Sequence, residues 1–153
     1  MSVKRAVFAI DGQNGAMCSG RLFEDGGRPP MAFQDIHAAA LGLERACEAD
    51  RSPFPSVRKR HFTEDRVLWD GMPGDPSARR SFMRDIEAAG TRGDLGTFLV
   101  CVQHRENGSW QGYVTWMEQN KTVNFRSVWE MVQLIDEAVR NGARPEITWD
   151  NAL

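Results

Sequence analysis

The chain predicts one α+β domain made of two related β-hairpin-strand-helix units. They form a single antiparallel-sheet domain with helices packed on it and a pseudo-two-fold between the units. Three observations predict this. Apolar strand-like runs broken by Asn-Gly occur twice, at Asn14-Gly15 and Asn107-Gly108, and Asn-Gly between such runs is a strong hairpin signal. A short apolar segment and then a helix follow each hairpin, with Asp35 and Ser127 at the two helix starts. The length of 153 residues suits one domain, and 41% hydrophobic with 26% charged residues is an ordinary globular composition.

In the first unit, residues 3–49, Val3 to Ile10 reads as a strand. Asp11 to Gly15 reads as the turn, and Ala16 to Glu24 as the returning strand. Met31 to Gln34 is a short third strand. Asp35 caps a helix running to about Ala49. Ile36, Ala39, Ala40, Leu43 and Cys47 fall on one face of that helix. An insert, residues 50–94, follows. It holds Pro53 and Pro55, the basic run Arg58-Lys59-Arg60-His61, and Trp69 to Pro73. Asp75-Pro76 then opens a short helix with Phe82, Met83 and Ile86 on its apolar side, closed by Gly90.

The second unit, residues 95–141, repeats the order. Thr97 to Arg105, Trp110 to Glu118 and Thr122 to Arg126 read as strands. Ser127 with Glu130 three places on is a capping box. Val128, Met131, Val132, Ile135 and Val139 form the apolar stripe of the helix, which Asn141-Gly142 ends. Residues 142–153 are a C-terminal tail in which Glu146 to Asp150 could add an edge strand.

The units superimpose on their sequences. Setting Gly20 on Gly112 brings Leu22 to Val114, Phe33 to Phe125, Asp35 to Ser127, Leu43 to Ile135 and Glu44 to Asp136 without a gap. One extra residue is needed between Asn14 and Gly20. An internal duplication accounts for the shared caps, Phe and Gly. Two such units either join edge to edge in one sheet or pack face to face.

The formal net charge of -2 gives no bulk attraction for phosphate backbones. Cys18, Cys47 and Cys101 contain no CxxC pair and sit among small or apolar residues, as buried free thiols of a reducing compartment do. The apolar run from Ala6 to Ile10 is too short for a signal core or a membrane span. The expectation is a cytoplasmic protein with no membrane contact.

Chemical motifs are few. No phosphate loop, GxGxxG fingerprint, HExxH, zinc-spaced Cys/His cluster or GxSxG elbow occurs. His37, His61 and His104 lack local ligand partners. No catalytic residue, cofactor or metal site is therefore assigned. Asp11 at the end of a strand and Glu44 on the following helix are the pair that a ribonuclease-H-like metal nuclease would use. Trp110, Val114 and Trp116 are even positions of one strand and share a face; Tyr113 and Met117 take the other. Either the tryptophans pack under the helices, or they form an aromatic platform with Arg105 and Arg126 close by. Such a platform stacks single-stranded bases at about 1–3 kcal/mol per base.

Two resemblances follow from these residues. Gln103-His-Arg-Glu-Asn-Gly-Ser-Trp-Gln-Gly112, Val114-Thr-Trp-Met-Glu118, Asn124-Phe-Arg-Ser127 and Leu134-Ile-Asp-Glu-Ala138 resemble a group of small uncharacterised bacterial proteins. Their signature is NxSWQGxVTWxE, then FRS, then LIDxA. That resemblance implies no activity. The order of three strands and a helix, twice, is similar to Pur-alpha-like repeats, which bind single-stranded nucleic acid; fold analogy alone does not assign that function.

The leading functional expectation is a non-enzymatic binding, adaptor or regulatory protein acting through a protein partner, which could be a second copy. The alternative is a single-stranded nucleic-acid-binding module using Trp110, Trp116, Arg105 and Arg126. The third is the Asp11/Glu44 nuclease.

Overall fold

The computed structural model describes residues 2–57, 60–62, 74–88 and 90–142. Among these described residues the chain forms an α+β fold with one six-stranded antiparallel sheet and three helices. The elements are β1 (Lys4–Asn14), β2 (Met17–Glu24), β3 (Met31–Phe33), α1 (Ile36–Asp50), α2 (Pro76–Ala88), β4 (Gly96–His104), β5 (Gln111–Trp116), β6 (Lys121–Phe125) and α3 (Val128–Asn141). The strand order is β3-β2-β1-β4-β5-β6. The sheet is continuous, with β1 against β4 at its centre.

Strand alternation decides the layers. Ala6, Phe8 and Ile10 of β1, Leu22 of β2, and Phe98, Val100 and Val102 of β4 face one side. There they meet Ile36, Ala39, Ala40 and Leu43 of α1 and Met131, Val132 and Ile135 of α3 in the main core. The opposite face carries Val7, Phe23 and Leu99, which pack with Phe82 and Ile86 of α2 in a small second core. Thus the short helix of the insert packs on the centre of the far side of the sheet. Met83, expected on its apolar side, is 42% exposed, because the face α2 buries is narrow.

β1 runs on to Asn14, past the expected turn. A bulge between Ile10 and Gly12 absorbs one residue, so the pairing with β2 continues and Gly15 turns the chain at a φ of 61°. A corresponding irregularity lies between Val102 and His104. Two glycines permit the tight pairing beside these bulges. A Cβ on Gly20 would lie 1.9 Å from the Ala9 carbonyl oxygen, and one on Gly112 would lie 1.9 Å from that of Cys101. Gly20 pairs with Phe33 and Gly112 with Phe125.

Both predicted caps form. The Asp35 carboxylate accepts from the Ala38 N–H at 2.9 Å and the Ser127 hydroxyl from the Glu130 N–H at 3.1 Å. All three cysteines are free and buried. Among the described residues no helix is long and apolar enough to cross a membrane. Arg58-Lys59 of the basic run, Trp69 to Pro73, and Glu146 to Asp150 lie outside the described residues.

Candidate binding groove

The helical register of α1 separates two duties. Ala40, Leu43 and Cys47 enter the core, while Leu41, Glu44 and Glu48 recur at the three- and four-residue spacing that lines a flank. Opposite that flank stands the β4–β5 hairpin. Arg105, just beyond β4, is 4% exposed, and its Nη1 donates to the Pro53 carbonyl at 3.1 Å. Its Nη2 donates to Glu44 and to Glu48. The indole N–H of Trp110 also donates to Glu44. Trp110 is 1% exposed, so this bond satisfies the polar end of an otherwise apolar buried ring.

The chain after α1 closes the third side. Arg51 ends the helix in the left-handed region, at a φ of 52°, and redirects the backbone. Pro55 then bridges in parallel to Arg105, and the Ser56 N–H donates to the Arg105 carbonyl at 3.0 Å. Between α1, this segment, the hairpin and the start of α3 lies a groove of 430 Å³. Ala40, Leu41, Pro55, Val57, Trp110 and Val128 give it an apolar lining, with Glu44, Glu48 and Arg105 among them. Leu41 is 58% exposed and Val57 49%. Trp129 is 61% exposed and stacks on His37, a lining residue, with ring centroids 6.4 Å apart.

The electrostatics are unequal. Burial alone would lower the Arg105 pKa, but hydrogen bonds to Glu48 and Glu44 outweigh it and raise the value, so the guanidinium is held charged. Two carboxylates share this one arginine, and they are its more exposed partners. Cys47, on the core side of α1, has its thiol pushed up to about 12 by burial, which disfavours the thiolate that nucleophilic attack or metal binding needs.

A second polar cluster sits at the start of β1, near the last turn of α1. Lys4 is 1% exposed and its Nζ lies 2.6 Å from Glu24, 3.0 Å from Asp25 and 2.6 Å from Asp50. Arg28 bonds Asp50 and Glu24, and Arg79 stands 3.9 Å from Asp25. Three cations thus meet three carboxylates beside a cavity of 320 Å³. The near-complete pairing makes this a structural lock joining β1, the β2–β3 connection, α1 and α2.

The predicted residues divide between the groove and other places. Arg105 and Trp110 come together at the groove, both buried. Trp116 stacks on Phe98 at the rim of the main core, with centroids 6.4 Å apart. Arg126 is exposed and paired with Glu130 at 3.0 Å. The two tryptophans thus pack under the helices, one in the core and one at its rim. Asp11 and Glu44 lie on opposite sides of the sheet. Asp11 accepts from Arg21 at 2.9 Å, whereas Glu44 belongs to the groove. Among the described residues no group of three His, Cys, Asp or Glu side chains could hold a metal. Glu48, Leu41, Val57 and Trp129 were not singled out in the sequence. The spacing of Leu41, Glu44 and Glu48 on the flank of α1 is the signal that could have pointed to them. Comparison with protein-family models, curated proteins and solved structures finds no match to this chain.

Proposed function

We propose that the protein is a binding or adaptor protein that engages a protein partner through the groove between α1, the 53–57 segment, the β4–β5 hairpin and α3. The observation that carries this reading is the exposed apolar wall of Leu41 and Val57 in a groove of ligand-holding size, with exposed Trp129 stacked on the lining His37 beside it. Contiguous exposed apolar surface of this kind marks interaction sites.

The internal duplication supports the choice of groove. Gly20 and Gly112 share one close approach, the two bulges lie at matching positions, and both caps have extended backbone. The same offset holds on both strands of each hairpin, without the extra residue that the two Asn-Gly turns suggest: Val7 matches Leu99, which it pairs with, and His37 matches Trp129, on which it stacks. A pseudo-two-fold through these two pairs relates the halves. It sets Gln13 in the place of Arg105, Cys18 of Trp110, Asp136 of Glu44 and Arg140 of Glu48. The corresponding hollow is lined by Gln13, Gly15, Arg140 and Asn141 and has little apolar surface. The copies therefore differ where one has an apolar groove with a buried arginine. Divergence of that kind fits a function carried by one copy of the site.

Purification of the tagged protein from its own host, with and without nuclease, tests the reading. A protein partner at fixed stoichiometry is expected to survive nuclease and to be lost from the Leu41→Glu variant. A second copy of the chain, recovered as a dimer that Leu41→Glu dissociates, would make the partner self. Nucleic acid recovered in place of protein would favour the single-strand binder. Mg²⁺-dependent cleavage abolished by Asp11→Asn would favour the nuclease.

A further inference from the structure

We infer that the groove takes a peptide segment of the partner in which a large apolar side chain is followed closely by Lys or Arg, with a main-chain carbonyl accepting from Arg105. This rests on the proposed binding role and specifies its ligand. Three features select that chemistry. The apolar walls at Leu41, Val57 and Trp110 suit one large apolar side chain. The carboxylates of Glu44 and Glu48 are 27% and 44% exposed, while the single arginine between them is 4% exposed. An incoming chain therefore meets net negative charge, and a basic side chain complements it.

The third feature is a missing bond. Arg105 uses Nη1 and Nη2, but its Nε–H is buried and has no acceptor among the described residues. Buried donors are almost always paired; this Nε–H has almost no accessible surface, so a ligand acceptor reaches it only as the Arg105 side chain turns toward the groove on binding. Arginine has donors only, so the group that completes this site must offer an acceptor, which in a peptide main chain is a carbonyl oxygen. A carbonyl is better suited than a carboxylate, because Glu44 and Glu48 repel a further anion. Apolar anchor, basic neighbour and neutral acceptor together describe an extended peptide.

Selection from a random-peptide phage library on the immobilised full chain tests this. Clones are expected to share a large apolar residue with Lys or Arg close behind it. Leu41→Glu should abolish their capture. Glu48→Gln should weaken basic clones by about threefold, as an exposed ion pair would, and leave their neutral analogues unchanged. An amidated peptide whose carbonyl is replaced by a methylene at the contact position should lose affinity on the wild type. Clones that are acidic, or clones equally retained by Leu41→Glu, would overturn the inference. So would failure to select any clone. If the partner still co-purifies in a Leu41-dependent way while no peptide is selected, the peptide inference falls and the binding role stands.

Discussion

At the scale of single residues, Lys4 anchors the buried ionic cluster. It enters the sheet as the first residue of β1, and its ammonium is held among three carboxylates. Burial alone would lower its pKa; the charge of Asp25 and the bonds to Asp50 and Glu24 reverse that and raise it above 10.5. Removing one partner from a buried ionic cluster leaves the others unpaired. Lys4→Met is therefore expected to cost about 3–5 kcal/mol in urea unfolding near neutral pH. A loss below about 1 kcal/mol, the scale of an exposed pair, would mean that Arg28 and Arg79 hold the carboxylates without it. The cluster also sets a pH window. Burial would raise the Asp50 pKa, but bonds from Arg28 and Lys4 bring it below 3.8. Its contribution is present above 3.8 and is lost as pH falls through the lower folded value. The contribution of Lys4 is complete below 10.5 and is lost as pH rises through its higher folded value. Urea midpoints should fall between about pH 5 and pH 1, and Asp50→Asn should make that fall shallower. An unchanged acid slope would remove Asp50 from the account.

At the scale of elements, the caps are the local devices that the sequence displayed most openly. The Ser127 hydroxyl satisfies the Glu130 N–H, which no turn of α3 can reach. Ser127→Ala should cost about 1 kcal/mol, and Ser127→Asp should recover most of it, read from urea midpoints. A silent Ser127→Ala would mean that the Glu130 side chain, which bonds the Arg126 N–H, fixes the helix start. The strands were legible for a related reason: period-two alternation in β2 and β5, with Gly20 and Gly112 as markers, is local information. Their ends were less legible. The bulge after Ile10 extends β1 through Asp11 to Asn14, and nothing in Asp-Gly-Gln-Asn distinguishes a bulged strand from a loop. The position of α2 on the far face was not legible either, since Phe82 and Ile86 fit any apolar surface. The groove was half visible. Arg105 and Trp110 stood out as residues, but their bonds to Glu44 span 61 and 66 positions and depend on how α1 lies across the hairpin.

At the scale of the whole molecule, the β1–β4 pairing decides whether the two units are independent. Seven residues of β1, from Lys4 to Ile10, pair with β4 from Gly96 to Val102. Phe8, Phe98 and Val100 are buried in one core that contains residues of both α1 and α3. Neither unit can open at this seam without exposing part of the other, so the sheet should unfold as one cooperative body. Leu43 offers a clean test. It lies in the first unit, is fully buried and makes no polar bond. Leu43→Ala should cost about 2–5 kcal/mol by lost transfer energy and the cavity left behind. Hydrogen exchange then separates two outcomes. In a single cooperative unit, the most protected amides of β4 and β5 lose the same free energy as those of β1 and β2, although the substituted residue belongs to the first half. In two independent units, protection falls in β1 and β2 alone and β4 and β5 keep their wild-type rates. The first outcome also bears on the groove. Its walls come from α1 on one side and the β4–β5 hairpin on the other, so a site held across a cooperative seam is rigid only when both units are folded.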